Sequence, residues 1–226
     1  MNPEDISARL RALDVALIFD AVEALGGTPR CLDLGVRHQS GTGRLAGRVL
    51  TVSGRPDPRA RSERVPPPWD EFRLFEAVRP GHVLLISTGG EQVAGVWGEI
   101  LSTAAREQGA VGAVVDGLVR DVAALREMPR WEVFARGTSP VEGNGRWQPS
   151  EFDVPIAVPG ALTNHVRADP GDWLVADEDG ILLLAADEVE TVLETAEQLL
   201  ERESATRRDL LAGDSFAVVY GRYQTF

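Results

Sequence analysis

The amino-acid sequence predicts an α/β fold, a mixed sheet with peripheral helices, on three observations. His82–Ser87 and Val111–Val115 are apolar runs of strand length with a helical segment, Gly98–Gln108, between them. That is the order a parallel strand pair with a helical crossover requires. Short apolar segments then recur at Val133–Ala135, Val154–Val158, Trp173–Ala176 and Ile181–Leu184, separated by turn signals such as Pro170-Gly171-Asp172 and Asp179-Gly180. A long amphipathic segment from Asp187 closes the pattern. With 226 residues and no internal repeat, one domain spanning residues 1–226 is expected.

Each element has a local reason. Ile6–Leu25 reads as one amphipathic helix, with Leu10, Leu13, Leu17, Val22 and Leu25 near helical spacing and Gly26-Gly27 as its stop. Leu45–Val52 reads as a strand. The stretch 54–69 carries five prolines and four arginines, a density that reads as a loop. Pro80-Gly81 turns into the strand His82–Ser87, and Thr88-Gly89-Gly90 ends it. In Gly98–Gln108, Ile100, Leu101, Ala104 and Ala105 share a face, and Gly109 is the expected C-terminal stop. Val111–Val115 is ended, on this reading, by Asp116-Gly117. The last helix begins at Asp187, where Asp187 and Glu190 form a candidate capping box, and its apolar stripe runs from Val189 to Leu210 before Gly213.

Composition narrows the chemistry. All 23 basic residues are arginine, against 35 acidic residues, for a net charge of −12. The absence of lysine removes Schiff-base aldolase chemistry, pyridoxal phosphate anchoring and the Walker A lysine. Any carbonyl activated here must be polarised by a metal or by hydrogen bonds. The acidic balance speaks against a broad nucleic-acid footprint. Cys31 is the only cysteine, which rules out a disulfide framework, a zinc knuckle or an iron–sulfur centre. His38, His82 and His165 show no metal-ligand spacing. The N-terminus has no signal-peptide core, and the apolar runs fall far short of the roughly 20 residues of a membrane span. A cytoplasmic protein without membrane contact is expected.

Three segments can carry chemistry. Gly98-Glu99-Ile100-Leu101 opens a helix, whose free amides and dipole suit a carboxylate. Arg120-Asp121 lies beyond the end of an apolar strand, where open α/β sheets tend to bind ligands. Arg120 offers a planar fork for a carboxylate, and Asp121 offers hard oxygen to Mg²⁺ or Mn²⁺. Glu203 falls on the continuation of the last helix's apolar stripe, at i+4 from Leu199. Each has an ordinary structural explanation when taken alone.

Together, the stretch from Trp97 to Asp121 closely resembles the RraA-like family, whose motif is a glycine, about twenty residues, then Arg-Asp. Members include 4-hydroxy-4-methyl-2-oxoglutarate/4-carboxy-4-hydroxy-2-oxoadipate aldolases and protein regulators of ribonuclease E. Further similarity lies in Phe134–Pro140, Pro170–Ile181 and the closing helix, so the motif-bearing core covers about 80–213. The resemblance implies a swivelling β/β/α sandwich, usually trimeric or a dimer of trimers. It also implies that Asp121 holds a divalent metal, Mg²⁺, Mn²⁺ or another, and that Arg120 grips the substrate carboxylate with the amides around Gly98, Ile100 and Leu101. Glu99 would orient metal-bound water, and Glu203 would act across a subunit boundary.

The implied reaction is metal-dependent (class II) cleavage of a 2-keto acid through a pyruvate enolate, by retro-aldol or by oxaloacetate decarboxylation. The alternative is a non-catalytic regulator that binds and inhibits a ribonuclease, for which acidic charge would suit a basic partner. No glycine-rich cofactor loop supports a methyltransferase. The first 80 residues, the loop at 54–69 and a longer Pro159–Asp172 segment depart from the family pattern.

Overall fold

The computed structural model describes residues 1–57, 59 and 71–224. Two helices, α1 (Pro3–Arg11) and α2 (Val15–Ala24), precede short strands β1 (Arg30–Cys31) and β2 (Arg37–Ser40), then β3 (Leu45–Pro56). Helix α3 (Glu71–Ala77), β4 (His82–Ser87), β5 (Gly95–Trp97), α4 (Glu99–Glu107), β6 (Gly112–Val119), α5 (Val122–Glu127) and β7 (Glu132–Thr138) follow. The remainder comprises β8 (Trp147–Phe152), β9 (Ile156–Pro159), β10 (His165–Ala168), β11 (Trp173–Ala176), β12 (Ile181–Leu184), α6 (Val189–Leu211) and α7 (Phe216–Tyr223).

Among the described residues, ten strands form one mixed sheet in the order β1-β12-β11-β3-β4-β6-β7-β2, with β5 added to β6 and β8 to β3. Strands β3, β4, β6 and β7 are parallel neighbours, and the flanking pairs are antiparallel. Edge strands β1 and β2 are adjacent in sequence, joined only by residues 32–36. A flat array of eight strands would set its edges about 34 Å apart, whereas the linking chain spans at most about 22 Å. The sheet must therefore curl until its edges approach.

Its concave face holds one core, in which Val83, Leu85, Val114 and Phe134 meet Leu32 and Val36 of the link. Ile156, Val158, Val166 and Ala168 of the β9–β10 hairpin belong to the same core. The convex face carries two more. Leu84, Ile86, Val115 and Val133 pack with Leu74, Ala105 and Leu125 of α3, α4 and α5. Trp173, Val175, Leu182 and Leu184 pack with α1, α2 and α6. Burial on both faces is why the central strands read as unbroken apolar runs.

Several sequence expectations need correction. The helix expected over Ile6–Leu25 is two helices broken at Asp14, whose backbone is extended. Arg44 donates to the Arg11 and Leu13 carbonyls, and Asp177 accepts from the Val15 amide at 2.8 Å. Tertiary partners thus satisfy the helix ends that the break creates. The strand expected over Leu45–Val52 continues to Pro56, because β8 pairs with its second half and the Trp147 ring lies on Gly54. A Cβ at Gly54 would sit 2.0 Å from that ring. The rest of the loop at 54–69, beyond Asp57 and Arg59, lies outside the described residues.

The strand expected to stop at Asp116-Gly117 runs on to Val119. The capping box is absent: α6 starts at Val189, Glu188 is its N-cap, and no side chain caps it. Glu190 instead pairs with the N-terminal ammonium at 2.6 Å. No helix among the described residues is long and apolar enough to cross a membrane.

Candidate active site

Two helix starts meet at one end of the parallel strands. Strand β5 leads through Gly98 into α4, and β6 leads through Arg120 and Asp121 into α5. The Arg120 amide donates to the Trp97 carbonyl at 2.9 Å, which ties the two connections together. Gly98 is required by its neighbours. A Cβ there would lie 2.6 Å from Asp121 Oδ2 and 2.9 Å from Arg120 Cγ. No side chain caps α4, so its first-turn amides stay open toward this corner.

Asp121 occupies the N-cap position of α5 yet makes no capping hydrogen bond, and its backbone is left-handed at φ 59°. Aspartate tolerates that conformation better than most residues, but it remains a local cost that elsewhere accompanies function. Its carboxylate is 41% exposed and accepts from Arg120 Nε at 3.2 and 3.4 Å. Arg120 and Asp121 thus form a charged pair beside an open helix N-terminus.

The other expected site residues are placed unequally. Ile100 is 76% exposed in the first turn of α4, while Leu101 packs on the convex core. Glu99 accepts from Thr103 Oγ1 at 3.0 Å, so its carboxylate is turned along its own helix. Trp97 is buried and donates from Nε1 to Ser102 Oγ at 2.8 Å, which makes it packing between β5 and α4. The structure does not bring Glu203 to this corner. It lies on α6, which packs on α1, α2 and α7, and its nearest charged partner is Arg207 at 3.9 Å. Cys31 is a half-buried free thiol raised above its ordinary pKa by burial.

Sequence reasoning passed over a second polar group beneath the pair. Arg136 Nε donates to Asp116 Oδ1 at 2.6 Å, and its Nη1 donates to Asp33 Oδ1 at 2.7 Å. The buried Thr88 hydroxyl donates to the Asp116 carbonyl at 2.5 Å. A signal was present: Asp116 follows Val114, and Arg136 follows Phe134, with the two-residue period of the concave face.

Burial pushes the Asp116 carboxyl above its ordinary range, opposed by Arg136, whereas Arg136 and the Gly35 amide hold Asp33 below it. The signs differ. Asp33 stabilises the fold above its unfolded pKa, and that contribution is lost as pH falls through its folded value. Asp116 favours the fold at low pH, and that contribution is lost as pH rises through its folded value. Arg136→Met is expected to raise both carboxyl pKa values, as read by carboxyl carbon NMR titration; an unmoved Asp33 would contradict the pairing.

Among the described residues, no three His, Cys, Asp or Glu side chains converge as a metal cage. Asp121 fits a looser mode. Mg²⁺ keeps several waters and takes one or two carboxylates, and the Asp121 carboxylate, packed close on Gly98, is 41% exposed. Gly98→Ala puts a methyl group where the Asp121 carboxylate and the Arg120 side chain stand. It is expected to displace that pair, read as a shift of the Asp121 amide resonance with circular dichroism unchanged.

The fold and this corner define a class: an α/β protein with an Arg-Asp pair at a parallel strand end, beside an uncapped helix start. Residues 15–183 match the RraA-like (Aldolase/RraA) family, and the chain belongs to it. The 4-hydroxy-4-methyl-2-oxoglutarate aldolase of Thermus thermophilus is 39% identical over 115 residues, covering 50% of this chain and 64% of that enzyme. The matched stretch is thus less than two thirds of that relative. A Burkholderia multivorans protein, provisionally named for the same activity, is 33% identical over 163 residues, covering 70% of this chain and 87% of its own. The crystal structure of Streptomyces coelicolor RraAS2, described as an unusual member of the RNase ES inhibitor RraA family, superposes with a TM-score of 0.74 at 24% identity. That superposition covers 90% of this chain and 96% of the other, and it shows a shared fold.

Proposed function

We propose that this protein is a divalent-metal-dependent lyase that cleaves a 2-keto acid through a pyruvate enolate. Retro-aldol cleavage of a 4-hydroxy-4-methyl-2-oxoglutarate-type substrate and oxaloacetate decarboxylation would share the site. The observation that carries this reading is Asp121: a left-handed N-cap aspartate that caps nothing, half-exposed, paired with Arg120 and packed close on Gly98. Aldolase names among the relatives support it.

A bound Mg²⁺ or Mn²⁺ supplies Lewis acidity toward the C2 carbonyl of the keto acid. Asp121 is the residue that holds the ion. Arg120 binds Asp121 through Nε, which leaves its Nη groups to grip the substrate carboxylate and to stabilise the enolate charge. The first-turn amides of α4, at Glu99, Ile100 and Leu101, bind the same carboxylate from the other side. Glu99, released from Thr103, orients a water for proton transfer at the C4 hydroxyl. Glu203 serves the site of a neighbouring copy in a homotrimer or hexamer. A fully active monomer isolated by size would refute that last role.

The test is pyruvate release from oxaloacetate and from 4-hydroxy-4-methyl-2-oxoglutarate, coupled to lactate dehydrogenase, with Mg²⁺ or with EDTA. Metal-dependent pyruvate that disappears in Asp121→Ala supports the lyase. No enzyme-dependent pyruvate from either substrate overturns it and favours the non-catalytic regulator.

A further inference from the structure

Strand β6 carries an irregularity shortly before the pair at its end. Val115 faces Ala135 on β7 and Leu118 faces Gly137, so Asp116 and Gly117 together stand opposite Arg136 alone. This is a β-bulge, the device by which sheets re-aim side chains near functional sites. At the same place β6 changes neighbours. Its pairing with β4 ends at Ser87–Asp116, and its pairing with β5 begins at Gly95–Leu118. Arg120 and Asp121 come two and three residues after Leu118.

The bulge is held from both sides. From β7, Arg136 donates to the Asp116 carboxylate and reaches on to Asp33, which anchors its guanidinium at a second point. From the end of β4, the Thr88 hydroxyl donates to the Asp116 carbonyl. Thr88 is fully buried and is itself fixed, because Trp147 Nε1 donates to its carbonyl at 2.9 Å. Gly117 completes the contact, since a Cβ there would lie 2.6 Å from Thr88 Cγ2. Neither Thr88 nor Arg136 makes a hydrogen bond to Arg120 or Asp121.

We propose that Thr88 and Arg136 are positioning residues for Arg120 and Asp121, acting through the Asp116-Gly117 bulge that they clamp. Their effect on rate rests on the lyase reading, but their effect on the position of the pair does not. Thr88→Val keeps shape and removes the hydroxyl, and with it the bond to the Asp116 carbonyl; Thr88→Ser keeps the hydroxyl.

The experiment compares Thr88→Val, Thr88→Ser and Arg136→Met with wild type in two arms, after circular dichroism has established folding. In the kinetic arm, Thr88→Val and Arg136→Met should raise both the KM for oxaloacetate and the Mg²⁺ concentration for half-maximal rate. About tenfold is expected, since small misplacements at a site cost this much or more. Thr88→Ser should restore both. A merely structural loss would lower kcat with the amount of folded protein and leave KM and the Mg²⁺ midpoint unchanged, and that result overturns the proposal.

In the NMR arm, the Arg120 Nε–H and Asp121 amide resonances should shift in Thr88→Val and Arg136→Met and return in Thr88→Ser. Resonances that stay put overturn the proposal even if the wild type releases no pyruvate. A wild type without activity whose resonances do shift overturns the lyase reading alone and keeps the positioning role.

Discussion

Asp121→Asn should lower metal-dependent pyruvate release by about a hundredfold to a thousandfold while shifting the melting temperature by no more than about 2 °C. The activity side follows from charge. Asn is neutral and a weak ligand for a hard cation, so the variant loses the carboxylate that the proposed site gives to the ion. Metal stabilisation of developing negative charge is worth several kcal/mol, and about 1.4 kcal/mol corresponds to each factor of ten. The stability side follows from local geometry. Asp121 makes no capping bond that could be lost, and Asn tolerates its left-handed backbone as well as Asp does.

Asp121→Ala removes the same charge but adds about 1–2 kcal/mol of left-handed backbone strain. It should therefore match Asn in activity and melt several degrees lower. Coupled assays and thermal melts on both variants separate the two effects. Mg²⁺-stimulated activity retained in Asp121→Asn would remove Asp121 from the metal site.

Where the sequence carries a purely local signal, the elements follow it. Trp173–Ala176 and Ile181–Leu184 are strands with those very ends, and Gly98 and Gly109 flank α4 as expected. The structure departs from local pattern where a distant partner replaces a local rule. Asp177 and Arg44 let the first helix break at Asp14, and Trp147 with β8 extends β3; the last helix starts two residues beyond Asp187, which puts Glu190 out of the capping-box position. The bulge had the same origin. Asp-Gly reads locally as a turn, and it stays within a strand through distant partners: the ladders to β4, β5 and β7, and Thr88 and Arg136, 28 and 20 residues from Asp116.

The candidate site was legible in part for the same reason. Gly98, Arg120 and Asp121 lie at element ends that the pattern locates, and the structure gathers them. Glu203 is separated from them because a helix stripe specifies which face is buried, but not what covers it. Residues that shape the corner from another strand, such as Arg136, leave only a faint mark: a charge at an inward position.

The largest stability effect is expected from Phe134→Ala, which should cost about 3–5 kcal/mol. For a domain of this size that lowers the melting temperature by about 6–20 °C. Phe134 is 1% exposed on the concave face, edge-on to His38 of β2 with ring centroids 5.4 Å apart. Its position bears on whether the curl of the sheet is enforced. Phe134 lies on β7, beside edge strand β2, while Leu32 and Val36 of the link from the opposite edge share its core. Removing the ring leaves a void with strands on several sides, and such a site collapses poorly, which places the cost in the upper part of the range. An open sheet would let the face relax, and the loss would fall nearer to 2 kcal/mol. Denaturant titration of Phe134→Ala against Phe134→Leu distinguishes the two. Arg136 stands two residues further along the same face, so the alanine variant should also weaken the hold on Asp116. Its KM for a keto acid should rise even at temperatures where the protein stays folded, whereas Phe134→Leu, which fills most of the void, should leave KM unchanged.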